Sequence, residues 1–83
     1  MLEAHYVDAE TRVRRHLGQL ARLYDRDGTA VIPLTQEEIA EIAGTSRATV
    51  NRVLREEERR GVIELKRGRT IVVELDQLIQ RTR

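Results

Sequence analysis

The middle third of the chain constrains the fold most, because it contains two short helical patterns separated by only a few residues. Thr35, with Glu38 three positions later, has the pattern of a capping box and predicts the start of a helix. Gly44 stands where that helix would end, and Thr45 or Ser46 is placed to cap a second helix. Two short helices joined by a glycine-containing turn are typical of a helix-turn-helix unit.

Small and β-branched side chains occupy the offsets that such a unit requires. Ala40 lies where the two helices press together, and Gly44 lies where the turn favours a positive φ. Val50 follows six residues later and would pack the second helix against the first. The remaining inward positions carry Ile39, Ala43 and Val53. Together these offsets predict a helix-turn-helix whose second helix covers about residues 46–60.

Patterns on both sides complete a single domain over residues 1–83. Apolar residues at helical spacing predict a helix over 9–24, with Asp8 as its N-cap. A turn at 25–28 and an extended segment over 30–34 follow. Two β-prone runs, over about 62–66 and 69–75, flank Arg67-Gly68 and predict a hairpin over about 62–75, called the wing. Asp76 is placed to cap a last short helix. The predicted fold is mainly α with a small β-hairpin wing (α+β), a winged helix-turn-helix.

Composition excludes several classes of function. The chain has no Cys, which excludes a disulfide scaffold and a thiolate metal site, and no Phe or Trp to stack bases. No apolar run approaches the roughly 18 residues of a membrane span, so we expect a cytoplasmic protein without membrane contact. His5 and His16 lack a third metal ligand, and no base is spaced to activate Ser46 or Thr49. We therefore expect no metal site, no catalytic residues and no enzyme activity.

Charge is distributed unevenly although the net charge is only +1. Residues 1–43 carry a net charge of −3, whereas residues 44–69, which include the second helix and the wing, carry +4. Locally concentrated positive charge favours a polyanion. Charge alone is equally compatible with a solvated surface of local ion pairs. We interpret Glu56-Glu57-Glu58 as part of a solvated surface too.

Position assigns roles to these residues, because a recognition helix enters the major groove with its first turns. The outward positions that would face base edges are Arg47, Ala48, Asn51 and Arg52. The candidate phosphate contacts are Thr35, Ser46, Thr49, Arg55, Lys66, Arg67 and Arg69. The sequence therefore predicts sequence-specific binding of double-stranded DNA. The alternative is a winged helix that contacts another protein and has no DNA role.

The segments LTQEEIAEIAGTSRATVNRVL and GVIELKRGRTIVV resemble the C-terminal winged helix of the Crp/Fnr family of bacterial transcription regulators. The resemblance extends from about Asp8 to the end of the chain. It implies that Arg47 and Arg52 contact bases, that Ser46 and Thr49 contact phosphates, and that Arg69 is a wing contact.

The sequence departs from the family pattern at three positions. Ala48 replaces a frequent Glu, which would accept a hydrogen bond from cytosine, and Ala can offer only contact with a thymine methyl. Glu37 replaces a Gln that contacts phosphate in some members. Glu57 replaces the usual Leu, and we expect its side chain to be partly exposed or paired with an Arg.

The resemblance also implies partners outside this chain. Family members have a sensor half that holds a cyclic nucleotide, haem or iron–sulfur cluster, so no cofactor is expected in these 83 residues. Members bind as two-fold dimers to inverted repeats, and residues 1–7 are similar to the end of the dimerisation helix. We expect a homodimeric parent, a monomeric or weakly associating fragment, and a possible RNA polymerase contact at 25–29. A genuinely short regulator is the alternative to an output domain of a longer protein.

Overall fold

A computed structural model describes residues 8–82, which form helices and strands around one apolar core. The elements in chain order are α1 (Ala9–Tyr24), β1 (Asp25–Arg26), β2 (Thr29–Ile32), α2 (Gln36–Ala43), α3 (Arg47–Arg59), β3 (Ile63–Lys66), β4 (Arg69–Val72) and α4 (Leu75–Gln80). This order confirms the predicted winged helix-turn-helix. The predicted end of a dimerisation helix at 1–7 lies outside the described residues.

Local hydrogen bonds start and stop the helices at the predicted positions. The Glu10 amide donates to the Asp8 carboxylate at 2.8 Å and starts α1. Both bonds of the capping box between Thr35 and Glu38 are present at the start of α2. That helix ends at Gly44, which has a φ of 67°, a conformation that glycine adopts at little steric cost.

The predicted cap of the last helix is wrong. Glu74, not Asp76, occupies the N-cap of α4 and makes no side-chain capping bond, while Asp76 lies in the first turn. The amides of Val73 and Glu74 donate to the Val62 carbonyl at 2.9 and 3.2 Å. Because these bonds turn the chain directly after β4, the helix begins one residue before Asp76.

The sheet is larger than the predicted hairpin. Asp25 and Arg26, predicted as part of a turn, pair with β2 as β1, and the second strand of the wing ends at Val72 and not at residue 75. Four antiparallel strands are arranged in the order β1-β2-β4-β3, so the segment before α2 joins the wing. In this register Ala30 lies opposite Val72, and Ile32 lies opposite Thr70. Ala30 and Ile32 are fully buried, whereas Val31 between them is exposed. Pairing with β4 therefore satisfies the backbone while one face of β2 fills the core.

The core fixes the inner face of α3 and leaves its outer face exposed. Val50, Val53 and Leu54 are completely buried against apolar residues of α1 and α2. The opposite face of the same helix projects into solvent beside the β3–β4 hairpin. Between residues 8 and 82, no helix is long and apolar enough to cross a bilayer.

Candidate nucleic-acid interface

The first turn of α3 presents polar groups to solvent. Ser46 caps the helix, with its Oγ accepting from the Thr49 amide at 3.1 Å. The first intrahelical bond runs from the Val50 amide to the Ser46 carbonyl, so the amides of Arg47 and Ala48 precede the ladder and remain available as donors. Both of these side chains are exposed. Amides at a helix start suit an anion such as a phosphate.

A groove of 540 Å³ lies between this helix start, the start of α2 and the wing. It brings together five of the predicted contact residues, namely Thr35, Arg47, Lys66, Arg67 and Arg69. All five are exposed, and within residues 8–82 none of the four cations forms an ion pair. The groove therefore carries an excess of positive charge.

The wing geometry accounts for the grouping of its cations. Lys66 and Arg69 face each other across the β3–β4 register, and Arg67 with Gly68 forms the two-residue turn between them. Gly68 has a φ of 74°, which permits the tight reversal. Three positive side chains consequently project from one hairpin tip.

Three other predicted contact residues are already engaged within the protein. Arg52 donates from Nε to the Glu10 carboxylate at 2.7 Å, and Asn51 donates from Nδ2 to Gln36 Oε1 at 3.2 Å. Arg55 pairs with Glu58 at 3.1 Å. Since Arg52 and Arg55 are still more than half exposed, both can also reach a ligand in solvent.

Glu37 is the acidic side chain in the lining of the groove. It is exposed, and no other side chain in the described part of the chain makes a hydrogen bond or ion pair with it. Its negative charge therefore faces the same space as Arg47 and the wing cations.

Glu57 departs from both sequence expectations about its exposure. Its side chain is fully buried, not partly exposed, and the interpretation of residues 56–58 as a solvated surface is wrong at this position. Consecutive helix positions point in different directions, so Glu57 points inward while Glu56 and Glu58 stay half-buried. The expected pairing with Arg is confirmed.

Arg14 of α1 and Arg81, which directly follows α4, enclose the Glu57 carboxylate. Arg81 donates from Nη2 at 2.5 Å and from Nε at 3.2 Å, and Arg14 donates from Nε at 2.9 Å. Arg14 also contacts Glu56. Burial disfavours the charged carboxylate, but the hydrogen bonds and charges of Arg81 and Arg14 outweigh it and lower the pKa of Glu57 below its ordinary value. The charged cluster thus ties α1 and the end of the chain to α3.

The sequence carries no signal for the partners of Arg52 and Asn51. Glu10 lies 42 positions from Arg52, and Gln36 lies 15 positions from Asn51. No helical or strand periodicity relates positions so far apart. Only the packing of α1 and α2 against α3 brings these pairs together.

Comparison with known proteins places this geometry in a family. The Crp-like helix-turn-helix domain matches residues 11–81. A CRP-like cAMP-activated global transcriptional regulator from Mycobacterium tuberculosis is 37% identical over 82 residues, covering 94% of this chain and 37% of the relative.

Solved structures of regulators give the same result. Oxidized CprK in complex with o-chlorophenolacetic acid is similar with a TM-score of 0.80 and 28% identity, covering 98% of this chain and 36% of CprK. The CO-dependent transcription factor CooA from Carboxydothermus hydrogenoformans is similar with a TM-score of 0.78 and 26% identity, covering 92% of this chain and 37% of CooA.

The chain belongs to the Crp-like helix-turn-helix family and is a DNA-binding domain of the Crp/Fnr type. It spans 37% of the length of the curated relative that it matches. The resemblance drawn from the SRATVNR segment and the wing is thereby confirmed at the level of the family.

Proposed function

We propose that α3 enters the major groove of duplex DNA and that Arg47, Ala48, Asn51 and Arg52 contact base edges there. The observation that carries this proposal is the groove in which Arg47 and the wing cations are exposed without acidic partners among residues 8–82. Phosphate contacts are assigned to Thr35, Ser46, Thr49, Arg55, Lys66, Arg67 and Arg69.

The two groups of residues differ in what they recognise. The Arg47 guanidinium can donate two parallel hydrogen bonds to guanine O6 and N7, and the Ala48 methyl can contact a thymine methyl. The wing cations and the amides at the start of α3 bind phosphate oxygens, which are the same for every sequence. Arg47 therefore contributes to selectivity, and Arg69 contributes to affinity.

The chain acts by binding, as the output part of a longer homodimeric transcription regulator. This proposal is supported by relatives that are regulators and of which the chain spans little more than a third. Two copies would occupy an inverted repeat with half-sites roughly 34 Å apart, and the exposed segment 25–29 would contact RNA polymerase. The cofactor, whether cyclic nucleotide, haem or cluster, would bind the sensor part, and this domain would need none. Regulation of transcription places the protein in the cytoplasm.

Selection from a randomised duplex pool at several salt concentrations tests this function. We expect a short guanine-containing motif to be enriched. The affinity should fall steeply as salt increases, because binding releases counterions from the DNA and this release becomes less favourable at high salt. Binding without enrichment would reduce the function of this chain to phosphate contact. A complete lack of binding at low salt would instead favour the protein-interaction alternative.

Arg47→Ala, with Arg69→Ala as its matched control, separates the two kinds of contact. We expect Arg47→Ala to cost about 1–3 kcal/mol of binding to the enriched site and to relax the choice of base at one position. Arg69→Ala should weaken all sequences alike and reduce the salt slope by about one. Equal losses on enriched and random duplexes for Arg47→Ala would contradict its contact with a base.

A further inference from the structure

The ion pair between Arg52 and Glu10 joins the candidate DNA-contacting surface to α1. The Arg52 Nε lies 2.7 Å from Glu10 Oε2, and the two side chains are 63% and 33% exposed. Neither residue is buried enough for this pair to stabilise the fold strongly. Because the pair lies on the outer face of α3, we expect its effect to be on DNA binding and not on stability.

The geometry of the pair leaves most of the Arg52 guanidinium available. Glu10 accepts from Nε alone, and no acceptor within residues 8–82 contacts Nη1 or Nη2. A guanidinium donates two parallel bonds to guanine through a planar edge. Arg52 can therefore keep its bond to Glu10 and still present its two terminal nitrogens to a base.

Glu10 is itself restrained. It lies in the first turn of α1, and its Oε1 is 4.0 Å from Nη1 of Arg14. Arg14 is only 12% exposed and is anchored by the buried Glu57. The Glu10 carboxylate is thus connected through Arg14 to the most buried charge of the domain.

We propose that Glu10 is a positioning residue that sets base discrimination by Arg52, an inference that rests on the proposed function. Its carboxylate fixes the rotamer of a long and otherwise mobile side chain, so Arg52 meets one base pair in one orientation. The same negative charge stands beside the phosphate backbone and weakens binding to DNA of any sequence. Glu10 therefore increases selectivity while it lowers general affinity.

Glu10→Gln should separate these two effects. Arg52→Ala first identifies, within the motif selected by the wild-type chain, the base pair at which discrimination depends on Arg52. At that base pair we expect Glu10→Gln to reduce discrimination about tenfold, within the range that one bidentate contact supplies. Affinity for a random duplex should rise about threefold, because one negative charge near the phosphates is removed.

Glu37→Gln is the matched control for charge. It removes one carboxylate from the same interface, but Glu37 contacts no arginine of α3 in the described part of the chain. We expect Glu37→Gln to raise affinity for selected and random duplexes by the same factor and to leave discrimination unchanged. The inference is overturned if Glu10→Gln behaves in this same way.

Two further variants keep the test decisive. Glu10→Asp keeps the charge but shortens the side chain, so it should reduce discrimination without raising random-duplex affinity. In the Arg52→Ala background, Glu10→Gln should no longer change discrimination at that base pair, and an undiminished effect would refute the positioning role. If the wild-type chain enriches no motif, the proposed function fails. If it enriches a motif, but Glu10→Gln and Glu10→Asp discriminate among bases as the wild-type chain does, this inference alone fails.

Discussion

The two halves of α3 use charge in opposite ways. In the first half, Arg47 is exposed and has no ion-pair partner among residues 8–82. In the second half, Glu56 and Glu57 both contact Arg14 of α1, and Glu57 also contacts Arg81. One half therefore presents charge to a ligand, while the other uses charge to attach the helix to the rest of the domain.

This division opposes the usual electrostatics of a helix. Acidic side chains are normally favourable near the positive N-terminal end of a helix, yet the first turn of α3 has none and begins with Arg47. The positive potential of the helix start is thus left uncompensated by the protein. In the complex proposed above, a phosphate of DNA would supply a negative charge at this end of the helix.

The largest effect on stability is expected in the second half of α3, where Glu57 is buried. Glu57→Gln leaves Arg14 and Arg81 without their shared counter-charge, and it should lower the free energy of unfolding by about 3 kcal/mol, as for other buried pairs that lose one partner. Urea denaturation followed by circular dichroism measures the change. Glu58→Gln, which removes a partly exposed pair one residue away, should cost less than about 0.5 kcal/mol. Similar losses in both variants would show that burial does not distinguish them.

Acid should progressively reduce the stability that the ionised Glu57 contributes. Because the pKa of Glu57 is lowered in the folded state, its stabilising contribution is complete above the ordinary glutamate pKa of about 4.3 and is lost as pH falls through the lower folded value. The difference in unfolding free energy between wild type and Glu57→Gln should be constant near neutral pH and should shrink below about pH 4.3. Urea titrations from neutral pH downwards check this. A difference that grows in acid would contradict the direction of the shift.

An intermediate effect on stability is expected at Ser46, the N-cap of α3. Ser46→Ala removes the acceptor for the Thr49 amide and should cost about 1 kcal/mol of stability. Thr45→Ala is the control, because the backbone bond from the Thr45 amide to the Ala40 carbonyl remains. Thermal unfolding of both variants tests the assignment, and equal losses would argue against Ser46 as the N-cap.

The smallest stability change is expected at the exposed position beside Arg47. Ala48→Glu places a new carboxylate in solvent and should alter stability by less than about 0.5 kcal/mol. Its effect should lie in base choice, because a glutamate accepts from the cytosine amino group. Duplex selection with this variant should enrich cytosine at one position where the wild-type chain does not. An unchanged motif would show that position 48 does not face a base.

Local signals predicted the elements that depend on neighbouring residues. The Thr35–Glu38 capping box, the positive φ at Gly44 and the Arg67-Gly68 turn each depend on a few adjacent positions, and each is present in the structure. Apolar periodicity likewise fixed the bounds of α1. These features were predictable because the chemistry that produces them is contained in the segment itself.

Features that require distant segments could not be predicted. The pairing of β2 with β4 depends on residues about 40 positions apart, as does the contact of Arg52 with Glu10. The burial of Glu57 was not predicted, because burial of this carboxylate becomes favourable only when Arg14 and Arg81 approach it from distant segments of the chain. The arginine and lysine side chains that the sequence proposes as DNA contacts are exposed, but the partners of Arg52 and Asn51 within the protein depend on tertiary packing.

The enclosure of Glu57 by two arginines also restricts how this domain can change by mutation. Replacing Glu57 with leucine, the usual residue of the family, would leave Arg81 without a carboxylate partner among residues 8–82 and Arg14 with only Glu56 and Glu10. Replacing either arginine first would remove one of the two cations that stabilise the buried carboxylate. A fully apolar version of the site would need three substitutions, and its single-substitution intermediates would be less stable than either end point. Few mutational paths therefore connect the charged site with the apolar site, and the order of the substitutions matters more than their number.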